Sequence, residues 1–195
     1  MDIVLATRNK KKIGEMKRIT KNMSISILTL DDFPGCPEVV EDGATFEENA
    51  TKKARAVAAF TGKAALADDS GLEVYALEGA PGILSARFAG KGADDRKNTE
   101  KLLFEMRSVS MEQRGARFVC SIALAFPDGS IHTFQGYADG TIGTEPKGAR
   151  GFGYDPVFYP EGHNRTFAEM DDTEKDALSH RGQALRRVHK FLMSL

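Results

Sequence analysis

The chain has 195 residues, of which 41 % are hydrophobic and 28 % charged, with a formal net charge of −1 at pH 7. That length suits a single domain over residues 1–195 with a full core, and the near-zero charge argues against a general nucleic-acid binder. No apolar run approaches a membrane span, and no charged-then-apolar leader precedes the first strand-like run. Cys36 and Cys120 are far apart and lack metal-ligand spacing, so free thiols in a reducing, cytoplasmic setting are expected.

Taken in order, Ile3 to Ala6 reads as a short strand, Thr7 to Lys12 (TRNKKK) as a polar loop, and Ile13, Met16 and Ile19 as the apolar side of a helix. Strand, loop, helix is the arrangement in which loop amides and a helix start meet an anion. With no glycine before Gly14, the loop matches neither the Walker nor the dinucleotide fingerprint. Its lysines offer point charges to phosphates instead, or form a solvated basic helix start.

Ile25 to Leu30 reads as a second strand, followed by a loop from Asp31 to Gly43 with Pro34, Gly35, Pro37 and the acids Glu38, Glu41 and Asp42. The next helix opens with Thr45 as cap and Glu48 three residues on, the spacing of a capping box. Phe46, Ala50, Ala54, Val57 and Ala58 form its apolar stripe and Gly62 stops it. Asn49 stands near its start beside the acidic loop, and the other polar residues of this helix need no function.

Ala64 to Leu72, AALADDSGL, is the densest stretch. A short apolar run ending in turn residues predicts a buried strand close to its end, and acids at such an end line a ligand crevice in open α/β sheets. Consecutive strand residues face opposite ways, so Asp68 and Asp69 are expected to do different jobs. One faces the crevice, and the other ties down the turn or a neighbouring loop. A further strand is expected over LEVYAL, then a glycine-rich connection from Gly79 to Gly90 that carries Ser85 and Arg87.

Lys97 to Met106 reads as an amphipathic helix. Ala116 to Phe126 and Ile131 to Tyr137 read as two long strands joined by a PDGS turn, a hairpin suited to an oligomer contact. Between Pro146 and Pro160, Gly148, Gly151 and Gly153 permit close backbone approach, while Phe152 and Tyr154 offer rings for stacking. Asp155 precedes a proline that holds it extended. Asp171 to Leu178 is a short acidic helix with Lys175 on it. The last helix follows Ser179, with His180 and Arg181 in its first turn and Ala184, Leu185, Val188 and Leu192 buried. An arginine there sits badly with the helix dipole unless an acceptor is near.

Cations for phosphates, carboxylates for Mg²⁺, a ring for a base and donors for base oxygens together suit a nucleoside triphosphate. Ser-His-Asp, CxxC and HExxH patterns are absent, so nucleophilic and zinc chemistry are poorly supported.

Six motifs occur in order: TxNxxK (Thr7 to Lys12), FxENAxxKA (Phe46 to Ala54), LADDSGL (Leu66 to Leu72), GAPGxxSAR (Gly79 to Arg87), GFGYDP (Gly151 to Pro156) and SHRGxAL (Ser179 to Leu185). Over essentially its whole length the chain resembles the inosine triphosphate pyrophosphatase family, the XTP/dITP diphosphatases. The resemblance implies an elongated α/β mixed sheet with flanking helices, and two lobes around a central nucleotide cleft. It also implies a homodimeric, Mg²⁺-dependent enzyme that cuts dITP, ITP and XTP to the monophosphate and pyrophosphate. By position, Thr7, Arg8, Asn9, Lys10, Lys11 and Lys12 would bind phosphates. Asp69 would be the proton acceptor and a metal ligand, with Glu41 as second metal carboxylate and Glu38 as the alternative. Ser70, Phe152, Gly153, Tyr154, Asp155, Lys175, His180 and Arg181 would bind the nucleotide. Arg8 stands where many relatives have glycine. The rival readings are the septum-formation inhibitor family, whose motifs differ from SHRG and GFGYDP, and a nucleotide-binding regulator, which needs no water-activating carboxylate.

Overall fold

A computed structural model describes all 195 residues. Its strands are β1 (Asp2–Leu5), β2 (Ser26–Thr29), β3 (Ala64–Val74), β4 (Gly115–Ala125), β5 (Ile131–Ile142) and β6 (Phe158–Pro160). Five helices join them: α1 (Lys10–Ile19), α2 (Phe46–Thr61), α3 (Asp95–Glu105), α4 (Asp172–Leu178) and α5 (His180–Leu192). The strands form one six-stranded mixed sheet in the order β2-β1-β3-β4-β5-β6. β1 runs parallel to β2 and β3, while β5 and β6 are antiparallel. The α/β class with flanking helices is as expected. No helix is long and apolar enough to cross a membrane.

The chain divides into two compact units. The first comprises residues 1–69, 120–136 and 181–195, and the second comprises 70–119 and 137–180. In the first, the period-two alternation of strand side chains separates two apolar layers. Val4, Ala6, Ala65, Ala67, Ala123 and Ala125 pack with Ala50, Ala54, Val57 and Ala58 of α2. Ile3, Leu5, Ala64, Leu66, Ile122 and Leu124 pack with Met16 of α1 and with Ala184, Leu185 and Val188 of α5. The second unit has its own core, built on Leu72, Val74, Leu102, Met106, Phe118, Tyr154, Phe158 and Phe167.

Helix α2 starts and stops where its residues dictate. The Thr45 hydroxyl accepts from the Glu48 amide at 3.1 Å, and Gly62 ends the helix in the left-handed conformation, at φ 64°. Glu48 closes the cap one residue earlier than a capping box requires, its carboxylate accepting from the Ala44 amide at 2.8 Å.

Two strand expectations are corrected. Asp68 and Asp69 do not end their strand, because β3 runs on through Ser70 and Gly71 to Val74, and Tyr75–Leu77 is a 3-10 turn rather than strand. β1 pairs with β3 only from Ala64 to Leu66, so both acids lie just past the carboxyl end of β1. β5 extends to Ile142 rather than Tyr137, since its second half gains β6 as a partner at Gly140, Thr141 and Ile142.

Candidate active site

β1 ends at Leu5 and hands the chain to the cationic loop. The Asn9 side chain caps α1 by accepting from the amides of Lys11 and Lys12 at 3.0 and 3.2 Å. Asn9 in turn donates its amide to the Thr7 hydroxyl. Arg8, Lys10 and Lys11 are exposed. The Arg8 guanidinium donates to the Cys36 carbonyl at 2.8 Å, joining this loop to the next. Lys12 turns inward, its Nζ 3.0 Å from Asp68 Oδ2.

Adjacent positions on β3 then send two carboxylates to opposite faces. Asp68 is fully buried on the side of α1 and α5, where Lys12 and Arg181 meet it. Arg181, expected to bind the nucleotide, is turned into the protein instead. It is 1 % exposed, its Nε and Nη2 donate to Asp68 Oδ2 at 3.3 and 2.9 Å, and its Nη1 donates to buried Glu15. Burial opposes ionisation of Asp68, but the charges of Lys12, Arg181 and Lys53 outweigh it and hold the carboxyl well below its usual range.

Asp69 faces α2. Its Oδ2 accepts from Asn49 Nδ2 at 3.0 Å, and its Oδ1 lies 3.8 Å from Lys53 Nζ. That ammonium also donates to Glu41 Oε1 at 3.1 Å and to the Asp68 carbonyl at 2.7 Å. Burial pushes Asp69 above the usual carboxylate value and the nearby Glu41 charge adds to the rise, against the pull of Lys53 and Lys12. Glu41 and Glu38 are both exposed, and Glu41 is the loop acid that shares the Lys53 ammonium with Asp69. No group of three His, Cys, Asp or Glu side chains is placed to hold a metal.

Lys53, in the FxENAxxKA motif, is among the α2 polar residues expected to need no function, and the structure corrects that expectation. Its signal was position: Phe46, Asn49, Ala50, Lys53, Ala54 and Val57 share the buried face of α2. A lysine on that face needs partners, and here they are two carboxylates and a carbonyl. Glu15, buried against Arg181, has no counterpart among the residues singled out from the sequence.

In the second unit the aromatic-glycine loop folds on Asp155. Its Oδ2 accepts from the Phe152 amide at 2.8 Å and from Lys175 Nζ at 2.6 Å, and both Asp155 and Lys175 are buried. Gly151 is required twice over, by φ 71° and because a Cβ would run into the Asp155 carboxylate. The Lys175 ammonium lies 4.9 Å from the centre of the half-buried Phe152 ring. Tyr154 offers no stacking face: it is 4 % exposed in the core, with its hydroxyl donated to the Ser85 carbonyl at 2.8 Å. Ser85 itself accepts from the Leu72 amide and donates to the Gly82 carbonyl, which makes it a fastening of the glycine-rich connection. His180 is buried and stacks on Phe118, with ring centres 4.7 Å apart and planes 8° from parallel. Ser70 is half-buried on β3, next to Asp69 in the chain.

Fold and side chains define an α/β protein that gathers cations and a buried carboxylate of raised proton affinity just past the end of β1, an arrangement suited to a polyanionic ligand. A model of the Ham1 family matches residues 3–191, and the chain belongs to that family. It is 51 % identical over 195 residues to the dITP/XTP pyrophosphatase of Desulforamulus reducens, covering all of this chain and 97 % of that protein. To the dITP/XTP pyrophosphatase of Geobacter sulfurreducens it is 51 % identical over 190 residues, covering 97 % and 96 %. The solved structure of a HAM1 protein from Coxiella burnetii matches with a TM-score of 0.91 at 43 % identity over the whole of both chains. A nucleoside-triphosphatase and dITP/XTP pyrophosphatase from Mycobacterium abscessus matches at 0.78 and 46 % identity, over 96 % and 98 %.

Proposed function

We propose that this chain hydrolyses dITP, ITP and XTP to the nucleoside monophosphate and pyrophosphate, keeping deaminated purines out of DNA and RNA. The observation that carries the reading is Asp69, a buried carboxylate with a raised proton affinity, beside the cationic loop that follows β1. Asp69 accepts the proton of the attacking water, a task suited to a carboxylate whose affinity burial has raised. Thr7 to Lys12 bind the phosphates, with the exposed ammonium groups of Lys10 and Lys11 as point charges.

Glu41 and Asp69 would hold Mg²⁺. The two carboxylates already converge on one cation, the Lys53 ammonium, and Mg²⁺ is commonly held by one or two carboxylates together with substrate phosphates. When bound, that ion neutralises phosphate charge and lowers the pKa of water. Phe152 stacks on the base, while Ser70, Gly153, Tyr154, Asp155, Lys175 and His180 form or support the nucleotide site. Arg181 serves it through Asp68. The whole chain, residues 1–195, acts as one catalytic domain in a cytoplasmic homodimer, which light scattering behind size-exclusion chromatography would check.

Pyrophosphate release measured on dITP, XTP, ITP, ATP and dTTP, with Mg²⁺ and with chelator, tests the proposal. Turnover of the three deaminated purines at more than about 10²-fold the kcat/KM of ATP is expected, a ratio within reach of a site that pairs with a base oxygen. Preference for dTTP would favour the septum-formation inhibitor reading, and binding without turnover would favour a regulator.

A further inference from the structure

We infer that Asn49 is a positioning residue whose single amide fixes the aim of Asp69 and the place of the acidic loop together; this rests on the proposed roles of Asp69 and Glu41. Asn49 is 2 % exposed on the first turn of α2, and both ends of its amide are engaged. Its Oδ1 accepts from the Gly43 amide at 2.8 Å, and its Nδ2 donates to Asp69 Oδ2 at 3.0 Å. A backbone N–H can only donate, so the Gly43 bond dictates which end of the amide carries the oxygen. The nitrogen is then turned to Asp69. That nitrogen occupies Oδ2 and leaves Oδ1 as the oxygen toward Lys53, 3.8 Å away.

Gly43 stands two residues beyond Glu41, so the same amide anchors the loop that brings Glu41 to Lys53 at 3.1 Å. A side chain at position 43 is excluded by space, not by backbone conformation. A Cβ there would meet Asn49 Oδ1 at 2.7 Å and Glu48 Cβ at 2.9 Å. The neighbouring Glu48 carboxylate accepts from the Ala44 amide at 2.8 Å, so the start of α2 holds two successive loop amides. Helix α2 is packed by Ala50, Ala54 and Val57, and gives Asn49 a fixed base from which to act. Hydrogen-bonded partners of metal-binding carboxylates typically contribute about 10–100-fold in affinity or activity.

The experiment compares Asn49→Ala, Gly43→Ala and the double variant with the intact protein, reading kcat and KM for dITP, Mn²⁺ affinity by electron paramagnetic resonance without nucleotide, and melting temperature. Both single variants should lose about 10–100-fold in kcat with KM changed by less than about threefold, and should bind Mn²⁺ about tenfold more weakly. The double variant should be no worse than Asn49→Ala, because both changes break one linkage. A kcat within about threefold of wild type in either folded variant, whatever its melting temperature, would overturn the inference, as would losses that multiply in the double variant. Should Asn49→Ala not fold, Gly43→Ala, which keeps the amide, carries the test. Asp69→Asn measured alongside separates the two claims. If it stays active, the reading of the site is wrong; if it is dead while Asn49→Ala turns over normally, only the role of Asn49 is wrong.

Discussion

Asp68 and Asp69 are consecutive in β3 and turn their carboxylates to opposite faces of the sheet, the first to Lys12 and Arg181, the second to Asn49 and Lys53. One neighbour is fully buried and held ionised; the other is 9 % exposed and holds its proton more tightly than a free carboxylate. The division of labour follows from strand geometry alone, since a period of two puts successive side chains in different environments.

Asp69→Asn should therefore cost at least about 10²-fold in kcat on dITP, the usual loss when a general base is removed, with melting little changed. Asp68→Asn should show the opposite balance. It leaves Lys12 and Arg181 without their shared carboxylate, and breaking a buried pair costs about 3–5 kcal/mol. Melting curves and initial rates on both variants check this. An Asp69→Asn protein with more than about a tenth of wild-type rate would remove Asp69 from the base role.

Features set by local periodicity or capping could be read from the sequence: the opposed aspartates, the buried stripe of α2 with its Thr45 and Gly62 ends, and the strand-loop-helix start. Features set by distant partners could not. Arg181 reads as a nucleotide-binding donor because its acceptors, Asp68 and Glu15, lie 113 and 166 residues away along the chain. Tyr154 looked available for stacking, but its hydroxyl is fixed by Ser85, 69 residues upstream. Ser70 and Gly71 have the composition of a turn, yet sheet pairing keeps them extended, tertiary context overriding local preference. Lysines on helices are commonly solvated, so nothing local marks Lys53, and only the carboxylates and the carbonyl brought by other segments explain its burial.

Lys53→Met should raise the apparent pKa of the base. The ammonium pulls Asp69 downward against burial, so removing it leaves desolvation and the Glu41 charge to push the same way. The acid limb of kcat/KM against pH should move to higher pH, with the plateau lower than in wild type. A limb that stays in place would mean that Lys53 does not act on the ionisation of Asp69.

The exposed lysines of the loop should behave differently from Lys12. Lys10→Ala and Lys11→Ala should raise KM for dITP at low salt, and the gap from wild type should narrow as ionic strength rises, because solvent-exposed charges are screened over about 10 Å at 0.1 M salt. Lys12→Ala should also lower the melting temperature, since its ammonium is bound to buried Asp68. A KM that ignores both substitutions at low salt would return Lys10 and Lys11 to the solvated surface.

Asp68 also sets how the fold responds to acid. Its carboxyl in the folded chain titrates far below the ordinary 3.8, which the unfolded chain recovers. Below about pH 5 the unfolded state begins to take up a proton at Asp68 that the folded state refuses, so the contribution of Asp68 to stability falls as pH falls. The contribution is complete above the unfolded value and is lost as pH drops toward the folded one. While folded Asp68 stays ionised and unfolded Asp68 is protonated, the slope is about 1.4 kcal/mol per pH unit. Asp68→Asn lacks this component. Urea unfolding of wild type and variant between about pH 2.5 and 6 should give stabilities that differ most at the upper end and converge toward the lower. Curves that run parallel across the window would show that Asp68 is not held ionised by Lys12 and Arg181, and the buried network would need another account.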